Sequence, residues 1–413
     1  MIGLELELIE PLGRLNARPW VDEVTGVEID SRRIEEGDLF VAVGGGADFV
    51  AHALARGAGA TLIPDEPHAA LATLAAAVRE RSHARIVGIT GAIGKTTTRE
   101  ILRALCAPHL RTVASEANYN NELGVPLTLC RIERDTELCL VEMGMRGLGQ
   151  IAALASFVRP ELALITSIAP VHLEALGSVE NVARAKAELI AALPSGGAAV
   201  VPDDPLLEPY LTRTDIEIRR FGHVEEPGRY RLGGRTLRLE TSYRGRHQLD
   251  NTLAALIVCE LLGVPLSDGR LEVEFGPLRE ELVELPGGVL LLNDCYNASP
   301  ESMRAGLAHL AELAQGRRRV AVLGEMAELG ERALELHRAV GAAVAAAGVS
   351  ELVAVGPLGR ESASAADGLR TSSVESAAEA AEVLAAILQP GDVVLVKGSR
   401  VAGLEAVAAK LRL

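Results

Sequence analysis

The chain has 413 residues, too many for one ordinary hydrophobic core, so two or three domains are expected. Hydrophobic residues make up 48% and charged residues 23%, as in a globular protein, while aromatics at 3% leave the cores to Ala, Leu and Val. The 41 basic and 56 acidic residues give a net charge of −15, which argues against nucleic acid as the main partner, because its phosphates need a basic face.

The chain begins Met-Ile-Gly-Leu-Glu-Leu-Glu, with early acids and no long apolar run, so no secretion leader is expected. The longest uncharged apolar runs, such as 339–350, are too short to cross a bilayer. Residues 1–84 read as a small α/β domain, with strands near 27–30 and 38–43 and an alanine-rich helix at 69–81. Residues 85–276 read as strand–helix alternation around a larger parallel sheet, with strands at 86–89, 138–142, 162–166 and 198–201. Near 221–242 short alternating segments with Gly228, Gly233 and Gly234 predict an antiparallel edge of that domain. Pro277, Pro286, Gly287 and Gly288 mark a boundary, and 277–413 repeats strand–helix units at 289–293, 320–323, 352–355 and 393–396, as in a Rossmann-like sheet. The fold class expected is α/β in three domains. The five cysteines are scattered without a Cys-x-x-Cys pair, which fits a reducing cytoplasm and neither a zinc site nor a disulfide framework.

The chemistry begins at 86–98, where an apolar strand runs into Thr90-Gly91-Ala92-Ile93-Gly94-Lys95-Thr96-Thr97 and then a helical pattern. Strand, glycine loop, Lys-Thr and helix form a phosphate-binding arrangement of backbone N–H groups, a helix N-terminus and a point charge. Lys95 is expected at the β- and γ-phosphates and the Thr96 hydroxyl on Mg²⁺. The common signature has its two glycines five positions apart; Gly91 and Gly94 are only three apart. Glu142 ends the second apolar strand, where ligands of open α/β sheets sit, and is a candidate metal carboxylate. His172 follows the third strand and is a candidate metal ligand. Taken alone, Lys186 reads as a helix-surface lysine, and Asn118-Tyr119-Asn120-Asn121 as either a polar substrate contact or a capping turn.

With Asn293-Asp294-Cys295-Tyr296-Asn297-Ala298-Ser299-Pro300, Val322-Leu323-Gly324-Glu325-Met326-Ala327-Glu328-Leu329-Gly330 and Val396-Lys397-Gly398-Ser399-Arg400, this constellation resembles the Mur ligases, which form amide bonds in peptidoglycan synthesis at the expense of ATP. The 118–129 and 293–303 runs look like the branch that adds D-alanyl-D-alanine. The resemblance implies ATP and Mg²⁺ as cofactors, with UDP-N-acetylmuramoyl-tripeptide and D-alanyl-D-alanine as substrates. It also implies a cytoplasmic protein, expected to be monomeric, that serves cell wall biogenesis, cell shape and division. It assigns Gly91 to Thr97 to ATP, with Glu142 and His172 on Mg²⁺ and Lys186 as a carbamylated lysine supporting the metal. Asn251 would contact adenine, and Asp294, Tyr296 and Asn297 would reach the nucleotide from the third domain. Arg279 is a weaker match, since the family has Gly-Arg there. Ser31 and Arg32 would hold the UDP-sugar, and Asn120 and Asn121 would contact substrate. Gly44-Gly45-Gly46-Ala47-Asp48 stands where the family carries Asp-Gly-His before Phe49. The alternatives are a sibling ligase, a folylpolyglutamate synthase, or a P-loop ATPase acting as a switch.

Overall fold

The computed structural model describes residues 1–411. Its centre is a six-stranded, all-parallel sheet in which the strand Arg85–Thr90 lies between Leu138–Glu142 and Leu162–Ile165. Ala198–Pro202 and Glu217–Phe221 extend it on one side and Thr112–Ala114 on the other. Leu138–Glu142 and Leu162–Ile165 are buried along their whole length, which is why they read as unbroken apolar runs. Helices Lys95–Cys106 and Arg246–Leu262 pack together on one face, and Gln150–Val158 and Val179–Ala191 on the other. Because the strands are parallel, Thr90, Glu142 and Ile165 all end at one edge of the sheet, on either side of the point where strand order reverses.

The expectation for 221–242 needs correction. Glu217–Phe221 closes the parallel sheet, but Arg229–Leu232 and Arg235–Thr241 form a hairpin in a separate three-stranded sheet. Their third partner is Gly269–Leu271, parallel to the second strand and contributed from beyond the long helix. The inward side chains Tyr230, Leu232, Leu237 and Leu239 join the same core as Leu140 and Leu164.

Ahead of the centre, a mixed four-stranded sheet has the order Gly13–Ala17, Ala60–Pro64, Asp38–Val41, Gly26–Glu28. After it, a second six-stranded sheet has the order Glu281–Leu285, Val289–Asp294, Val393–Lys397, Arg319–Leu323, Glu351–Val355, Arg370–Val374. All its pairings are parallel except the Glu281–Leu285 edge. Asp294, Lys397 and Leu323 therefore finish side by side. The five cysteines are buried and free. Among the described residues no helix is long and apolar enough to cross a membrane.

Candidate active site

The loop after Arg85–Thr90 turns sharply because Gly91 and Gly94 allow it. A Cβ on Gly91 would lie 1.8 Å from Thr166 Oγ1, and Gly94 has φ 83° with Asn251 Nδ2 only 2.7 Å from where a Cβ would stand. Neither position accepts a side chain without displacing its neighbours. The Ala92 and Ile93 amides are spent on Ser167, donating to its carbonyl at 2.9 Å and its hydroxyl at 3.0 Å. Thr98 is the first amide to bond back into the helix, to Gly94 O at 2.8 Å. The amides of Gly94, Lys95, Thr96 and Thr97 are thus the four a helix leaves without internal partners, and they supply the anion-facing donors. Lys95 curls over this turn, its Nζ donating to Gly91 O at 2.9 Å and Ala92 O at 3.4 Å. Burial lowers its pKa; Glu142 opposes that shift and Arg279 adds to it.

Glu142 is 1% exposed and its carboxylate is fully engaged. Thr96 Oγ1 donates to Oε2 at 2.9 Å, Arg99 Nη1 to the same oxygen at 3.2 Å, and Asn120 Nδ2 to Oε1 at 2.8 Å. Its backbone N–H donates to Ser115 Oγ at 3.0 Å. The amide cluster thus divides. Asn120 joins the carboxylate, whereas Asn121 Oδ1 accepts the Gly124 amide at 3.0 Å in the turn before the next helix. Arg99 and Ser115 were not legible as site residues, because nothing local sets them apart from other helix and strand-end residues.

Lys186 is not the surface lysine its helix suggested. It is 2% exposed, and burial holds its pKa well below the ordinary lysine value, with the Lys95 charge adding to the shift. His172, in a left-handed backbone conformation with φ 54°, is lowered by burial; Glu328 opposes the shift, and Lys95 and Lys186 reinforce it. Lys95, Glu142, His172 and Lys186 therefore face one region. Among the described residues no three His, Cys, Asp or Glu side chains cluster as a metal group.

The C-terminal sheet reaches this region. His172 Nδ1 contacts Glu328, which also pairs with Arg146 Nε at 3.3 Å. Arg279 lies over the Tyr296 ring at 3.9 Å and bears on Lys95 through charge. Asp294 is half-buried and held by Lys397 Nζ at 2.5 Å, which also donates to Asn297 O at 3.1 Å. Burial raises the Asp294 pKa, and Lys397 opposes it. Asn251, 6% exposed, stands beside Gly94. Farther off, Ser31 Oγ lies 2.9 Å from His52 Nδ1, so a histidine does reach Ser31, from the helix following Phe49. Arg32 is exposed and folds onto Asp30 at 2.7 Å.

Comparison with known proteins matches the chain to Mur ligases. Residues 89–259 match the Mur ligase middle domain and residues 278–400 the Mur ligase, glutamate ligase domain. The chain is 35% identical to a UDP-N-acetylmuramoyl-tripeptide–D-alanyl-D-alanine ligase of Synechocystis sp., over 94% of this chain and 92% of that one. It superposes on MurF from Acinetobacter baumannii with a TM-score of 0.85 at 25% identity, covering 99% of both chains. MurF ligase from Thermotoga maritima in complex with ADP gives a TM-score of 0.78 at 28% identity, covering 94% of this chain and 97% of that one.

Proposed function

This chain belongs to the Mur ligase family, and on that footing we propose that it joins D-alanyl-D-alanine to UDP-N-acetylmuramoyl-tripeptide in peptidoglycan precursor synthesis, converting ATP to ADP and phosphate. On this reading residues 1–84 hold the UDP-sugar through Ser31 and Arg32, 85–276 bind ATP, and 277–413 close over it as a monomeric cytoplasmic enzyme. The observation that carries the proposal is Lys186, buried beside Lys95 at the end of a phosphate loop. A switch ATPase has no use for a second, desolvated lysine there. A ligase whose metal shell is completed by a carbamylated lysine does.

The donors fit Mg²⁺ as a partial shell. Thr96 Oγ1 and Glu142 Oε2, 2.9 Å apart, are hard oxygen donors, and Mg²⁺ commonly completes its octahedron with phosphate oxygens and water. When bound, the ion would offset phosphate charge. Burial disfavours the charged form of Lys186 and so favours the neutral amine that carbamylation requires. As a carbamate it would add a carboxylate to that shell, with His172 alongside.

The reaction then has three steps. A carboxylate oxygen of the tripeptide attacks the γ-phosphorus of ATP, the bond to ADP breaks, and an acyl phosphate forms. Two like charges about 4 Å apart repel by ~4 kcal/mol at an effective dielectric of ~20, and Lys95, Arg279 and the first-turn amides of the helix offset this. The amine of D-alanyl-D-alanine, having lost its proton, attacks the acyl carbon. The tetrahedral intermediate expels phosphate and leaves the amide. The His172–Glu328 contact between the central and C-terminal parts, and the charge of Arg279 acting on Lys95, support a site assembled by closure, which keeps the acyl phosphate from water.

The test mixes purified protein with ATP, UDP-N-acetylmuramoyl-tripeptide and candidate amines, and follows phosphate and product mass. Phosphate release should require both the sugar-peptide and D-alanyl-D-alanine, with one new product of the summed mass less water. Release independent of both would overturn the ligase reading and favour the switch.

A further inference from the structure

The motif 322–330 carries an acid that the reaction above does not use. Glu328 follows the strand Arg319–Leu323 in the C-terminal sheet and has φ 61°, a backbone conformation uncommon for a residue with a side chain. Its two carboxylate oxygens are divided. Oε2 contacts His172, which faces Lys95 and Lys186; Oε1 pairs with Arg146 Nε at 3.3 Å. Arg146 lies just past the strand that ends in Glu142, on a turn fastened by Gln150 Oε1, which accepts the Arg146 amide at 2.7 Å and the Gly147 amide at 3.2 Å. The Arg146–Glu328 pair thus spans the gap between the two sheets, one charge from each side, one side chain away from the phosphate loop.

We propose that this ion pair is the receptor for the zwitterionic dipeptide acceptor, Glu328 taking its ammonium and Arg146 its carboxylate; the proposal rests on the ligase reading above. Three other acids near the gap are engaged, Glu142 by Thr96, Arg99 and Asn120, Asp294 by Lys397, and Glu280 by His247, while Glu174, whose amide donates to Glu328 O at 3.4 Å, is exposed. The remaining neighbours Lys95 and Arg279 carry positive charge suited to phosphate and would repel an incoming ammonium. Glu328 is the anion that offsets them. The Arg146 and Glu328 side chains are 78% and 37% exposed, so the pair contributes little to stability and opens readily. A dipeptide inserted between them replaces one ion pair by two. Its charged ends stand roughly 7 Å apart at full extension, a span the long arginine stem accommodates while Glu328 keeps His172 on its other oxygen. An acceptor read this way needs both a free amine and a free carboxylate.

The experiment compares D-alanyl-D-alanine with D-alanyl-D-alaninamide, which lacks the carboxylate, in wild type, Arg146→Met, Arg146→Lys and Glu328→Gln. Wild type should show a KM for the amide about 10- to 100-fold above that for the acid. Arg146→Met should raise the KM for the acid by a similar factor and leave acid and amide nearly equal, with Arg146→Lys between. Glu328→Gln should raise both KM values together. Acid and amide used equally by wild type would overturn the proposal, as would an undiminished preference for the acid in Arg146→Met. A raised Mg²⁺ requirement in Glu328→Gln with no change in acceptor KM would instead make Glu328 a metal-site residue. If wild type makes no product with either acceptor, the ligase reading itself has failed.

Discussion

Thr96 Oγ1 donates a 2.9 Å hydrogen bond to Glu142 Oε2, joining the first turn of the phosphate-loop helix to the end of the neighbouring strand. Arg99 shares that oxygen at 3.2 Å, and it is 3% exposed. Glu142→Ala leaves a buried arginine with only Glu100 as a carboxylate partner, so stability should fall toward the lower end of ~3–5 kcal/mol as well as activity. Glu142→Gln keeps an oxygen for Thr96 and should melt nearer to wild type, yet lose activity by about 10³-fold if Glu142 is the anionic metal ligand proposed above. Glu142→Gln with near-normal turnover would remove Glu142 from the metal site.

Lys186→Ala should abolish product formation, and millimolar acetate or formate should restore part of it by standing in for a carbamate. The direction of the lysine shift makes this chemistry accessible near neutral pH: burial penalises the ammonium, so the amine is available to carbon dioxide. Depleting bicarbonate should slow wild type and leave the rescued variant unaffected. Full activity in Lys186→Ala would exclude the role.

How much of this was legible in the chain follows from where the physics is local. A parallel strand buried on both faces must be apolar to its last residue, so Glu142 at the end of 138–142 stood out, whereas Lys397 after 393–396 entered only as part of a motif. Edge strands carry no such mark: Glu281–Leu285 alternates in burial and Arg370–Val374 is half exposed, and neither was anticipated. Lys186 looked like a surface lysine because its burial comes from helix packing and not from its neighbours in sequence. The parallel partner of Arg235–Thr241 lies beyond a 17-residue helix, so the alternation near 221–242 predicted strands but not the sheet they join. Glu328 was visible only as part of a motif; its contact with His172, 156 positions away, depends on how the two sheets dock.

Arg279 lies 3.9 Å over the Tyr296 ring, a cation–π contact that holds a guanidinium whose charge bears on Lys95. Lysine keeps the charge but not the stack. Arg279→Lys and Tyr296→Ala should each lower kcat/KM for ATP by roughly 10-fold, and the double substitution should cost less than the product of the two, because both remove the same contact. Fully multiplicative effects would show that Tyr296 does not position Arg279.

The junction between the central helices and the C-terminal sheet should be pH-sensitive. His247 Nε2 contacts Glu280 Oε1, and His309 Nδ1 lies 3.5 Å from the other carboxylate oxygen. Leu278 and Glu280 have φ 64° and 50°, so the chain turns tightly on either side of Arg279. Burial works against charge on His247, but the charge and hydrogen bond of Glu280 outweigh it and raise the pKa above the ordinary histidine value. Burial likewise opposes charge on Glu280, but His247 and His309 outweigh it and hold the carboxyl below its ordinary value. The raised histidine contributes stability that is complete below about pH 6.5 and is lost as pH rises through its folded value. The depressed carboxyl contributes stability present above about pH 4.3 and lost as pH falls through its own folded value. Between those limits both charges hold the junction. Thermal melts should therefore show wild type losing stability as pH rises above about 6.5 more steeply than Glu280→Gln, in which His247 has no anion to raise it. Equal slopes in the two proteins would mean that the pair does not carry the pH dependence of this junction.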